Sequence, residues 1–73
     1  MQLSSMTLIN LRRDLASRVE TATRQWLVAR AAYRRLHDAN IKDLSALRDA
    51  ALRLDQVERG RAALLRDLKA LSD

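Results

Sequence analysis

The stretch RQWLVARAAYRRL, residues 24–36, decides how this chain is read. It holds both aromatic residues, Trp26 and Tyr33, and an unbroken apolar block from Trp26 to Ala29. Stepping by seven from Val19 gives Trp26 and Tyr33. Stepping by seven from Leu8 gives Leu15, Ala22, Ala29 and Leu36. Interleaved, the two sets alternate at spacings of three and four. That is one face of a long helix with a coiled-coil-like repeat. Ser4, Ser5 or Thr7 can cap its start. No helix breaker follows until HDAN, residues 37–40.

HDANIKDL, residues 37–44, reads as a helix-to-helix turn. Asn40 is the expected cap of the second helix, with Asp43 three residues on in a capping-box-like place. Asn40 can equally close the first helix in a left-handed conformation. A second stripe follows: Leu47, Ala50, Leu54, Val57, Arg61, Leu64, Leu68 and Leu71. Leu44, Ala51 and Leu65 widen it, and Arg61 is its one fault. Within VERGRAA, residues 57–63, Glu58, Gly60 and Arg61 weaken helix and stripe together, so a continuous helix with a soft point is expected.

The expected fold class is all-α. One domain over residues 1–73 forms an antiparallel hairpin of two long helices, helix one about 5–38, the turn about 38–41 and helix two about 41–71. A turn centred near Ala39 and Asn40 sets the register. It places Leu8 against Leu68 and Leu71, and Leu15 against Leu64. Trp26 then meets Leu54 and Ala50, and Ala29 meets Ala50 and Ala51. Small residues facing each other predict the closest approach in the turn-side half.

Composition agrees with helix and limits the rest. The 73 residues include no proline and one glycine, so breakers are nearly missing. Charged residues make up 32% and apolar ones 48%, the balance of a soluble globular chain and not a disordered one. There is no cysteine, which excludes disulfides and thiolate metal sites. A lone domain below about 80 residues usually needs a staple, a metal or a partner chain. A partner chain is what remains. Arg30 and Arg34 interrupt the apolar block long before transmembrane length, so membrane insertion is not expected and a cytoplasmic location is. The N-terminus MQLSSMTLINLRRDLASR has the acid-poor, Ser- and Arg-containing character of a transit peptide. The apolar register runs through it unbroken and assigns it to the fold.

A two-helix hairpin covers one stripe per helix. Trp26, Ala29 and Tyr33 belong to that stripe, whereas Leu27, Val28, Ala31 and Ala32 extend around the sides and back. More helices are the economical solution, and two hairpins packing as a symmetric dimer make a four-helix bundle or a larger helical oligomer. The expected protein interface is therefore Trp26, Leu27, Val28, Ala31, Ala32 and Tyr33.

Residues that carry chemistry are few. His37, the only histidine, sits at the turn beside Asp38. Asp55 and Glu58 share a face of helix two, but no Glu-x-x-His pair accompanies them for a bundle metal site. No phosphate loop or metal-ligand cluster is present, and no serine has a plausible base. LINLRRDLASRV, residues 8–19, has a loose similarity to the all-helical chorismate mutases. No active-site pattern matches residue by residue and the chain is shorter than that family, so the resemblance is not adopted. The expectation is a non-enzyme with no cofactor, no metal and no small-molecule substrate.

The net charge of +5 comes from 12 Arg and 2 Lys against 9 acids. Arg over Lys, with abundant Ala and Leu, fits a GC-rich coding bias and is weak evidence for nucleic acid. The excess lies on helix one, where seven arginines face three acids. Arg13, Arg24 and Arg34 share its outer side and are the candidate nucleic-acid contacts. Two functions follow. One is a small protein-protein interaction module, an adaptor, chaperone-like subunit or assembly factor, similar in size and plan to the helical chaperones of bacterial export systems. The alternative is an RNA- or DNA-binding hairpin dimer, similar in plan to small plasmid RNA-binding bundles. Partners are accordingly a second copy, a helical protein or a nucleic acid.

Overall fold

A computed structural model describes residues 4–39 and 43–72 of the chain. Two helices account for nearly all of them: α1, Ser5–Asp38, and α2, Leu44–Ser72. Ser4 sits before α1 in extended backbone, and its side chain accepts a hydrogen bond from the Thr7 N–H at 3.2 Å. Of the three candidate caps Ser4 takes the role, satisfying one of the orphan donors of the first turn. α1 then runs unbroken for 34 residues. It ends at Ala39, whose backbone turns extended while its N–H still reaches the Arg35 carbonyl at 3.0 Å. Arg35 in the last turn suits the negative end of the helix dipole.

The second start differs from expectation. The Ala46 N–H donates to Asp43 Oδ1 at 3.0 Å, so Asp43 caps α2 and the helix begins at Leu44, not near residue 41. A short carboxylate just ahead of a helix reaches the N–H three residues on and also faces the positive end of the dipole. The capping role expected of Asn40 falls on residues 40–42, which lie outside the described residues. α2 continues through Gly60 without interruption.

Both stripes pack as their periodicity predicts. Every residue in them is buried or half-buried, and the three buried residues among those described, Ala22, Ala29 and Val57, all lie on them. Leu44, Ala51 and Leu65, expected to widen the second stripe, are exposed. The pair forms a rod of 55 × 17 × 15 Å.

The register departs from expectation by about one helical turn. Arg12 donates to the Leu71 carbonyl, Arg61 to Thr23 and Trp26 to Glu58. Residue numbers of facing pairs therefore add to 83 or 84, where the expected register gave about 79. Leu71 faces Arg12 instead of Leu8. Ala29 is not opposite Ala50 and Ala51 but lines one recess with Arg53. The cap accounts for most of this. Moving the start of α2 to Leu44 moves the midpoint of the two helix ends to residue 41, and each residue of that shift displaces the pairing by two, to a sum of 82.

Asp43→Ala should lower the unfolding free energy by about 1 kcal/mol, the usual value of an N-cap. Urea unfolding followed by circular dichroism measures it. An unchanged midpoint would mean that Asp43 does not cap.

Candidate interaction surface

The six belt residues divide by their angle on α1. Trp26 and Tyr33 turn toward α2 and are half-buried. Leu27 and Val28 point away, 51% and 68% exposed, and Ala31 between them is exposed as well. Ala32 is half-buried at the edge of the helix pair. Successive helical residues diverge by about 100°, so Leu27 and Val28 flank opposite sides of the outer face. Ala31 lies next to both at the spacings of three and four that make helix neighbours.

Trp26 anchors a polar cluster on the Leu27 side. Its indole N–H donates to Glu58 Oε1 at 3.1 Å. The guanidinium groups of Arg30 and Arg61 lie over the ring, 5.3 and 5.2 Å from its centroid. Arg61 Nε donates to Thr23 Oγ1 at 2.9 Å, and that hydroxyl donates to the Val19 carbonyl at 2.8 Å. Arg61, a fault in the apolar stripe, is thereby accommodated at the seam. Its charge meets an aromatic face and a hydroxyl, and its stem covers apolar surface.

The Val28 side is concave. A recess of about 350 Å³ is lined by Arg24, Gln25, Val28, Ala29, Ala32 and Arg53. A second, of about 240 Å³, continues from it through Gln25 and Arg53 to Ala22, Gly60 and Leu64. Small side chains make this hollow, since alanine and glycine leave space that leucine would fill.

The remaining candidates are dispersed. Arg24 lies 3.6 Å from Glu20 and donates to Thr21 Oγ1 at 3.3 Å. Arg13 and Arg34 are exposed. Ten or eleven residues separate successive members of this trio, about 15 Å of helix rise, so they form a line and not a cluster. His37 Nδ1 lies 3.1 Å from Asp38 Oδ1, and its ring stacks on Tyr33 at 5.7 Å between centroids. Asp55 pairs with Arg59 at 3.1 Å, while Glu58 serves Trp26, so the two acids act separately. Among the described residues no three His, Asp or Glu side chains gather as metal ligands. No helix among them is long and apolar enough to cross a membrane.

Two features were not read from sequence. Arg12 caps the last carbonyls of α2 through Leu71, with Nε at 3.0 Å. Glu58 accepts from Trp26. A signal existed for the first: stepping back by seven from Val19 lands on Arg12, a basic residue in the apolar register, as Arg61 is in the other helix. No family model, curated protein or solved structure matches the chain.

Arg61→Ala should destabilise the hairpin by about 1–2 kcal/mol, because it removes a cross-helix hydrogen bond together with a cation–π contact. Arg30→Ala removes only the contact and should cost about 0.5 kcal/mol. Equal losses in urea unfolding would show that the bond to Thr23 contributes nothing.

Proposed function

We propose that this chain is a small helical protein-protein interaction module that works without catalysis. Its working surface is the apolar belt on the outer side of α1. The observation that carries this reading is the exposure of Leu27 and Val28, 51% and 68%, in the most apolar block of the sequence. A single exposed leucine is ordinary on a protein surface. Here two large apolar residues adjoin Ala31 and Ala32, on a hairpin whose only buried residues, among those described, are two alanines and a valine. Such a hairpin draws little stability from its own packing, since helical stability comes chiefly from burying an apolar face. Partner helices laid over the belt complete a bundle of four or more helices and supply what the pair lacks. An adaptor, a chaperone-like subunit and an assembly factor all fit this description.

The nucleic-acid reading has less behind it. Arg24 is engaged by Glu20, and the three arginines are spread along the helix with Glu20, Leu27 and Ala31 among them. No aromatic side chain accompanies them for base stacking.

Leu27→Glu combined with Val28→Glu should abolish assembly or partner capture, read as mass by light scattering on a sizing column. Arg13→Ala, Arg24→Ala and Arg34→Ala together should leave the mass unchanged. The opposite pattern, with nucleic-acid binding that falls steeply as salt is raised, would establish the phosphate-contacting alternative.

A further inference from the structure

The hairpin exposes 6007 Å² of surface. A compact monomer of 8.3 kDa exposes about 4,600 Å², so roughly 1,400 Å² is in excess. A standard interface covers about 800 Å² on each partner. One flat face of a 55 × 17 Å rod offers about 900 Å², enough for one such contact. The excess is therefore larger than one such contact, and a single further hairpin laid on one flat face removes more than half of it.

The two flat faces are unequal. On one, Trp26, Arg30 and Glu58 fill the middle with bulky and charged groups. On the other, the two adjoining recesses form a groove about three turns long, lined by the small residues Ala22, Ala29, Ala32 and Gly60, with Arg53 and the seam residue Arg61 beside them. Gly60 is informative here. A Cβ at this position meets nothing within 4 Å, and the backbone is not in the positive-φ region. Neither packing within the hairpin nor backbone geometry calls for glycine, which weakens a helix interior. A glycine here leaves the backbone open to close approach by another helix.

A two-fold contact uses the same patch twice, so one patch must carry both a projection and a recess. Val28, 68% exposed, projects from the rim of the groove beside the Ala29–Ala32 recess. We propose that the groove is filled by a second copy of this chain. The two hairpins pack face to face about a two-fold axis, the Val28 of each over the alanine floor of the other and Gly60 where the helices come closest. This rests on the interaction-module reading and adds the occupant and the face to it.

Sedimentation equilibrium of the full chain tests it, with circular dichroism as a control for folding. The parent should form an even-numbered assembly. Gly60→Leu should weaken association at least about tenfold with helicity kept or raised, because leucine favours helix and a Cβ at this position meets nothing within the hairpin. Val28→Glu should weaken it as much, and Leu27→Glu alone by less than about threefold. Dissociation by Leu27→Glu with Gly60→Leu unaffected would overturn the choice of face and leave the interaction-module reading standing. A helical monomer at every concentration would overturn the second copy as occupant, and the belt would then belong to a different protein.

Discussion

Two helices lying side by side touch along a strip roughly 100° wide on each, and this limit shapes the whole molecule. The strip here is well used. Every seam position from Leu8 to Leu36 and from Leu47 to Leu71 is at least half-buried. Yet among the described residues only Ala22, Ala29 and Val57 are buried, because the other seam residues keep one side open to water. Leu27 and Val28 lie beyond the strip altogether. Their exposure follows from helix geometry: no rotation of α1 brings them to α2 without turning Trp26 or Tyr33 out.

Apolar seams hold helices together but fix their alignment weakly, since a slip of one heptad sets leucine against alanine much as before. The polar seam residues supply the alignment. In the observed register Arg61 faces Thr23 and finds an oxygen acceptor. A slip of seven would set it against Ala16, which offers no acceptor, or against Arg30, which repels it. Arg12 works likewise at the far end. It meets the Leu71 carbonyl in the last turn of α2, where carbonyls lack intrahelical partners. One heptad inward, the Leu64 carbonyl already belongs to the helix ladder. Two arginines in otherwise apolar stripes thus act as register marks, a role known for single polar residues in coiled coils.

The sequence made the helices and their buried faces plain because both depend on local spacing. A stripe at intervals of three and four survives any error in placing the turn. Register does not, because it depends on where the second helix begins. Asn40 is the expected cap, with Asp43 only its capping-box partner, and both are residues that cap well. Sequence weighs the pair by residue preference alone. The structure decides it by a 3.0 Å bond from the Ala46 N–H. The cross-helix contacts of Trp26 were hidden for the same reason: Glu58 and Arg61 reach the ring only in the shifted register. The division of the belt into a bulky side and a hollow side follows from the helical angle between Leu27 and Val28. The hollow itself depends on which small residues of α2 come opposite, and so on register again.

Charge limits what such a belt can build. Each copy carries a net +5, so association sets like charges together and opposes every added chain. The rim of the groove is itself basic, with Arg24 and Arg53 beside the apolar floor. Long arginine stems lie over apolar surface while their heads stay in water, so the rim can close around a guest without desolvating its charge. Glu20 already offsets Arg24 in part. Under these conditions a closed two-fold pair has an advantage over an open array. It would use the groove once per chain and stop while the accumulated charge is still small. In such a pair the arginine heads would stay in water, and Leu27, on the far side of the belt, would remain exposed.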